Sequence, residues 1–258
     1  MPRFAANLTM LYNELPFLER FGAAARDGFE AVEFLFPYAF DAAAVADAAR
    51  SAGVRIVLHN LPGGDWDAGE RGIACLPDRV DEFRAGVERA IEYAGALGVP
   101  QLNCLAGKLP ADTDADTAWG TLRDNVRWAA PRLAAHGIRL LLEPINGYDI
   151  PGFALQRSAQ AIELMDAVGD ANVFLQYDIY HMQRMEGELA TTLERLLERI
   201  AHIQLADNPG RHEPGTGEIN YPFLFRHLDR IGYAGWIGCE YKPSTTTSAG
   251  LGWMHDAR

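Results

Sequence analysis

Residues 116–143, DTAWGTLRDNVRWAAPRLAAHGIRLLLE, hold one complete unit of the pattern that organises the chain. Asp116 to His136 reads as a helix, Gly137 stops it, and Ile138–Leu142 is a short apolar strand that runs into Glu143. The same alternation extends toward the N-terminus. Strands are expected at Phe4–Leu8, Ala31–Phe36, Val54–Leu58 and Val99–Leu105. Helices lie between them: Glu14–Ala25 before Gly28, a segment capped by Asp41 and closed by Gly53, and one from Asp78 to Gly98. Toward the C-terminus, helices over Ser158–Val168, Glu188–Glu198 and Pro222–Ile231 alternate with strands Val173–Tyr177, Ile200–Leu205 and Trp236–Cys239. The C-terminal tail has room for an eighth helix. These strands are short, read as apolar on both faces and are never joined by hairpin turns, as in a buried parallel sheet. Eight regular units in 258 residues predict an α/β protein, a closed (β/α)8 TIM barrel forming one domain over residues 1–258, rather than an open doubly wound sheet. Long loops are expected after strand 3 (residues 60–77) and strand 6 (residues 179–187), at the rim where such barrels carry chemistry.

Composition narrows the function. At 48% hydrophobic and 22% charged residues the chain is an ordinary globular one. A net charge of −12 argues against nucleic-acid or anionic-membrane partners, which need a basic surface. Cys75, Cys104 and Cys239 are too scattered for a disulfide framework or a structural zinc cluster and fit a reducing compartment. With no signal-peptide core and no long apolar run, a soluble, cytoplasmic protein is expected. No GxGxxG follows the first strand and no GxxxxGK[ST] occurs, so nucleotide cofactors lack support.

The last four strands end alike. Strand 5 runs into Glu143, strand 6 into Asp178, strand 7 carries Gln204 and strand 8 runs into Glu240, at intervals of about one strand–helix unit. Three carboxylates converging on an apolar rim repel one another unless a cation holds them. A set of two glutamates, an aspartate and a glutamine offers only oxygen, which selects a hard divalent ion, Mg²⁺ or Mn²⁺, over zinc.

Five motifs follow in order at barrel spacing: Glu143-Pro-Ile-Asn146, Tyr177-Asp178-Ile-Tyr180-His181, His202-Ile-Gln204-Leu-Ala-Asp207, Gly215-Thr-Gly217-Glu-Ile-Asn220-Tyr221 and Gly238-Cys-Glu240-Tyr. With the stretches at residues 59–66 and 103–108, they closely resemble the xylose-isomerase-like barrel superfamily, and within it the hydroxypyruvate isomerase family. The resemblance implies that Glu143, Asp178, Gln204 and Glu240 hold the metal and that Glu143 and Glu240 are the catalytic acid and base. It implies interconversion of a small hydroxy-keto acid, hydroxypyruvate, with tartronate semialdehyde. Many sugar isomerases and epimerases of the superfamily carry histidine where this chain has Gln204, which turns the reading away from sugars and from an inosose-type dehydratase. A 2-oxo-tetronate isomerase would use the same machinery on four-carbon acids. An apurinic endonuclease would need a histidine-rich zinc cluster and a basic groove, against seven histidines and a charge of −12. Barrels of this kind often pair as homo-oligomers.

Other residues are weighed individually. His59 at the end of strand 3 and His181, three residues past Asp178, are candidates to bind substrate, and Lys108 and Arg211 are candidates for its carboxylate. Glu213, Glu218, Trp66 and Phe153 read as structural, His202 as core, and Cys239 as facing away from the site.

Overall fold

A computed structural model describes residues 2–109 and 113–256. In chain order it contains β1 (Arg3–Asn7), α1 (Phe17–Arg26), β2 (Ala31–Glu33), α2 (Ala42–Ala52), β3 (Arg55–Asn60), α3 (Val80–Leu97) and β4 (Gln101–Cys104). There follow α4 (Ala115–Ala135), β5 (Arg139–Leu142), α5 (Ser158–Val168), β6 (Val173–Asp178), α6 (Ile179–Met185), α7 (Leu189–Leu196), β7 (Ile200–Leu205), α8 (Tyr221–Ile231), β8 (Trp236–Cys239) and α9 (Trp253–Asp256). The eight strands form one closed parallel barrel in sequence order, sealed where Arg3 of β1 pairs with Trp236 of β8 and Ala6 with Cys239. The expected (β/α)8 architecture is therefore the observed one.

Local chemistry explains the element ends. Asp41 caps α2 by accepting the Ala44 amide, and Asp114 caps α4 through Thr117. Gly53 and Gly98, at φ of 71° and 67°, take the left-handed turn that ends α2 and α3 before the chain drops into the next strand. The extended core lies between the helices and the outer barrel surface, with Phe21, Val87, Leu122, Leu164, Leu193 and Leu228 facing the sheet.

Two expectations need correction. Residues 179–185 are helix α6, not an open loop, because the Asp178 carboxylate caps it, accepting the amides of Tyr180 (2.7 Å) and His181 (3.2 Å). The strands are also not apolar on both faces. Inside the barrel Ala5, Ala31 and Val57 form a small apolar cluster with Trp236. Above it Asn7, Glu33, Gln101, Asn103, Gln176, His202 and Gln204 are all buried. Most of their polar atoms satisfy one another across the lumen, with Asn103 Oδ1 and Gln176 Oε1 left without a partner. Glu33 accepts from Asn7 Nδ2 (2.9 Å), Gln204 Nε2 (2.8 Å) and His202 Nε2 (2.6 Å), and Gln101 Nε2 donates to His202 Nδ1 (3.3 Å). No helix among the described residues is long and apolar enough to cross a membrane.

Candidate active site

The strand ends of β5, β6 and β8 bring three carboxylates together. Glu143 directly follows β5, Asp178 closes β6 and Glu240 directly follows β8, and all three are buried. One oxygen from each, with one nitrogen of His181, lies within 4.8 Å of the others. Asn103 Nδ2 donates to Glu143 Oε2 (2.8 Å). Asn7 Nδ2 reaches Glu240 Oε1 (3.3 Å), and Arg211 Nη2 meets Glu240 Oε2 at 2.5 Å. Asp178 spends Oδ1 on the α6 amides, while its Oδ2 is buried without a hydrogen-bond partner.

The electrostatics follow from this crowding. Burial, then repulsion from Glu240 and Asp178, pushes the Glu143 carboxyl well above the usual carboxylate range. Burial also raises Asp178, and raises Glu240 to about 7 even with Arg211 opposing. A single guanidinium faces three carboxylates here, so the site calls for further positive charge. A hard divalent cation fits these residues: the donors are oxygens, and Asp178 Oδ2 already stands in the cluster with nothing bonded to it.

His181 plays a different part from the acids. The Asn146 amide is oriented by its own turn, in which Oδ1 accepts the amides of Tyr148 (3.1 Å) and Asp149 (2.8 Å). Its Nδ2 must therefore face Asp149 Oδ2 (3.0 Å) and His181 Nδ1 (2.6 Å). An accepting Nδ1 puts the imidazole proton on Nε2, which lies 3.9 Å from Glu143 Oε1 and 3.7 Å from Asp178 Oδ2. Burial, with Arg211 and Arg184 nearby, keeps the ring neutral. His181 thus presents a neutral N–H donor to the site rather than a lone pair.

Gln204 sits in register with Asp178 on the neighbouring strand. Its Nε2 is tied to Glu33, and one lone pair of its Oε1 accepts from Gln176 Nε2 (2.6 Å). His59 is buried at the end of β3. Its Nδ1 faces the Asn60 carbonyl (3.0 Å), leaving Nε2 as a buried acceptor with no partner. Arg211 is brought to the cluster by the loop after β7 and lies over the Tyr180 ring (5.3 Å). Lys108 is not brought in: its backbone bridges to Phe153 and its exposed side chain has no contact with the carboxylates.

That β7 loop is shaped by Asp207, whose carboxylate accepts the amides of Gly215 (2.8 Å), Gly217 (3.0 Å) and Ile219 (3.1 Å). A Cβ at Gly217 would sit 2.0 Å from the Asn208 carbonyl oxygen, which explains the small residue there. Glu213 bonds Ser244, and Glu218 bonds Asn208 and Gln183, so neither enters the site. Phe153 is buried in the main core and Trp66 packs on Phe36. Cys239 belongs to the outer core, away from the lumen. Sequence reasoning missed Glu33, Asn7 and Asn103. A lone acid in the apolar run of strand 2 was the available signal for Glu33.

The model of a family described as xylose isomerase-like TIM barrel matches residues 21–257. Hydroxypyruvate isomerase of Escherichia coli is 55% identical over the full length of both chains. The 2-oxo-tetronate isomerase of Cupriavidus necator is 50% identical over 98% of each. Among solved structures, AP endonuclease, family 2 from Brucella melitensis superimposes with a TM-score of 0.97 at 45% identity, covering 100% of both chains.

Proposed function

Because the chain belongs to the xylose isomerase-like TIM barrel family, we propose that its carboxylate cluster is that of a hydroxypyruvate isomerase, interconverting hydroxypyruvate and tartronate semialdehyde. The observation that carries the chemistry is the pair Glu143 and Glu240. They are two buried glutamates of raised proton affinity, one oxygen of each lying within 4.8 Å of Asp178 and His181. Glu143, Asp178, Gln204 and Glu240 are the residues that would hold Mg²⁺ or Mn²⁺. When bound, the ion supplies a Lewis acid that polarises the substrate carbonyl and favours the enediolate.

The chain's own residues do the rest. One glutamate takes a proton from C3 of hydroxypyruvate, and the other returns one to C2, while the hydroxyl proton passes from the C3 oxygen to the C2 oxygen. His181 Nε2–H donates to a substrate oxygen as negative charge develops on it, and His59 Nε2 accepts from a substrate hydroxyl. Arg211, already beside Glu240, offers its guanidinium to the substrate carboxylate. Three buried free thiols fit a cytoplasmic setting, and a homo-oligomer is compatible with this reading.

The 50% identical relative favours a second substrate, the four-carbon 2-oxo-tetronates, for the same residues. An endonuclease reading of the Brucella relative fits less well, since the metal-competent cluster among the described residues holds a single histidine and the chain carries a charge of −12. The deciding experiment follows three- and four-carbon keto acids by proton NMR in D₂O with wild type, Glu143→Gln and Glu240→Gln, with metal content measured in each. Hydroxypyruvate should turn over faster than the four-carbon acids, and each variant should lose about 10²–10⁴-fold while keeping its metal. Retention of activity within about threefold, well inside that range, would reduce that glutamate to a ligand.

A further inference from the structure

A concavity of about 940 Å³ lies at the end of the barrel opposite the carboxylates, where the strands begin. Arginines open three alternate strands there: Arg3 on β1, Arg55 on β3 and Arg139 on β5. The two-residue period of a strand places them in the same lumen-facing series as Asn7, His59 and Glu143 at the other end. All three side chains are exposed and line that one concavity.

None of the three has a carboxylate partner among the described residues. Arg3 donates to the Ala234 carbonyl and lies over Trp236 (4.8 Å), and Arg139 lies over Phe174 (5.6 Å). The Arg55 side chain makes no hydrogen bond or ion pair among the described residues, its backbone amide donating to the Glu30 carbonyl. By contrast Arg79, Arg184, Arg199 and Arg211 all sit on acids. With 35 acidic residues against 23 basic ones, the chain has acid to spare, yet none lines this mouth. Gathering like charges without a counter-charge is unfavourable. The lining also includes Gln101, whose Nε2 donates to His202 Nδ1, and Tyr233, whose hydroxyl donates to the Trp236 carbonyl (2.8 Å).

We propose that this N-terminal mouth is a binding site for a small dianion, a phosphate ester or a dicarboxylate, gripped by Arg3, Arg55 and Arg139. Guanidinium forks match both kinds of acid group, and a cavity of this size is in the range used for small ligands. The site is separate from the metal end of the barrel and does not depend on the isomerase reading.

The test is calorimetric titration of the metal-loaded, full-length protein with glycerol 3-phosphate and with succinate, at constant ionic strength. At least one probe should bind saturably, and Arg55→Ala/Arg139→Ala should weaken it at least tenfold. The tighter of the two probes identifies the acid group preferred. The single variants, with thermal unfolding recorded for each, separate lost binding from lost folding. Absence of saturable binding by both probes would overturn the proposal. So would binding unchanged in the double variant, which would place the probes elsewhere.

Discussion

Gly238→Ala tests the polar lumen most directly. Gly238 faces Glu33 across the barrel, and a Cβ built on it would lie 2.3 Å from each carboxylate oxygen and 2.4 Å from Cδ. A carboxylate at the end of a flexible side chain usually moves aside cheaply. This one is buried and holds three hydrogen bonds, from Asn7, Gln204 and His202. Overpacking costs about 1–3 kcal/mol, and losing at least one hydrogen bond to a charged group adds about 1.5–3 kcal/mol. The variant should therefore be destabilised by roughly 2.5–6 kcal/mol on those ranges, which lowers Tm by several degrees or more for a chain of this size. Denaturant unfolding gives the magnitude, and the double variant Glu33→Ala/Gly238→Ala supplies the control. Removing the carboxylate removes the clash, so the two substitutions should couple by more than about 1 kcal/mol, within the range seen for contacting residues. A Gly238→Ala variant within about 0.5 kcal/mol of wild type, the scatter of ordinary surface changes, would refute a rigid Glu33 anchor.

Three further outcomes are expected. Chelation should lower Tm by about 5–10 °C if the ion stood at about 100 times its Kd, where binding contributes about 2.7 kcal/mol, and re-addition of Mn²⁺ or Mg²⁺ should restore it; a Tm indifferent to chelation would count against the ion. Asn146→Asp replaces a donor by an acceptor at His181 Nδ1, so nitrogen NMR should show the imidazole proton moved from Nε2, with kcat/KM reduced about 10–100-fold on the scale of one buried hydrogen bond; an unchanged tautomer would rule out control by Asn146. Burial holds His59 at about 4, below its unfolded value of about 6.5, so its contribution is complete above pH 6.5 and lost as pH falls toward 4. His59→Gln should flatten the wild-type stability loss over that window by up to roughly 3 kcal/mol in urea unfolding, and parallel pH profiles would show that His59 does not titrate this way.

The sequence by itself determined the periodic features of this protein. Strand and helix alternate with local signatures, so the barrel was legible from apolar runs, caps and glycine stops. Glu143, Asp178 and Glu240 were legible too, because strand ends recurring once per unit must share one rim. The tertiary structure alone decided what the inward-facing residues touch. Glu33 bonds partners 26, 169 and 171 positions away, and Asn7 meets Glu240 at a separation of 233, distances over which local periodicity carries no information. The same holds for the tautomer of His181, set by an Asn146 whose orientation depends on its own turn. It holds for Gln204, whose residue type suits a metal but whose oxygen faces Gln176. It holds for Arg3, Arg55 and Arg139, which look like scattered surface charges until barrel closure carries them to one concavity. Chain-local physics selects the elements, while side-chain hydrogen bonding across a closed lumen is a property of closure and exists only once the eighth strand meets the first.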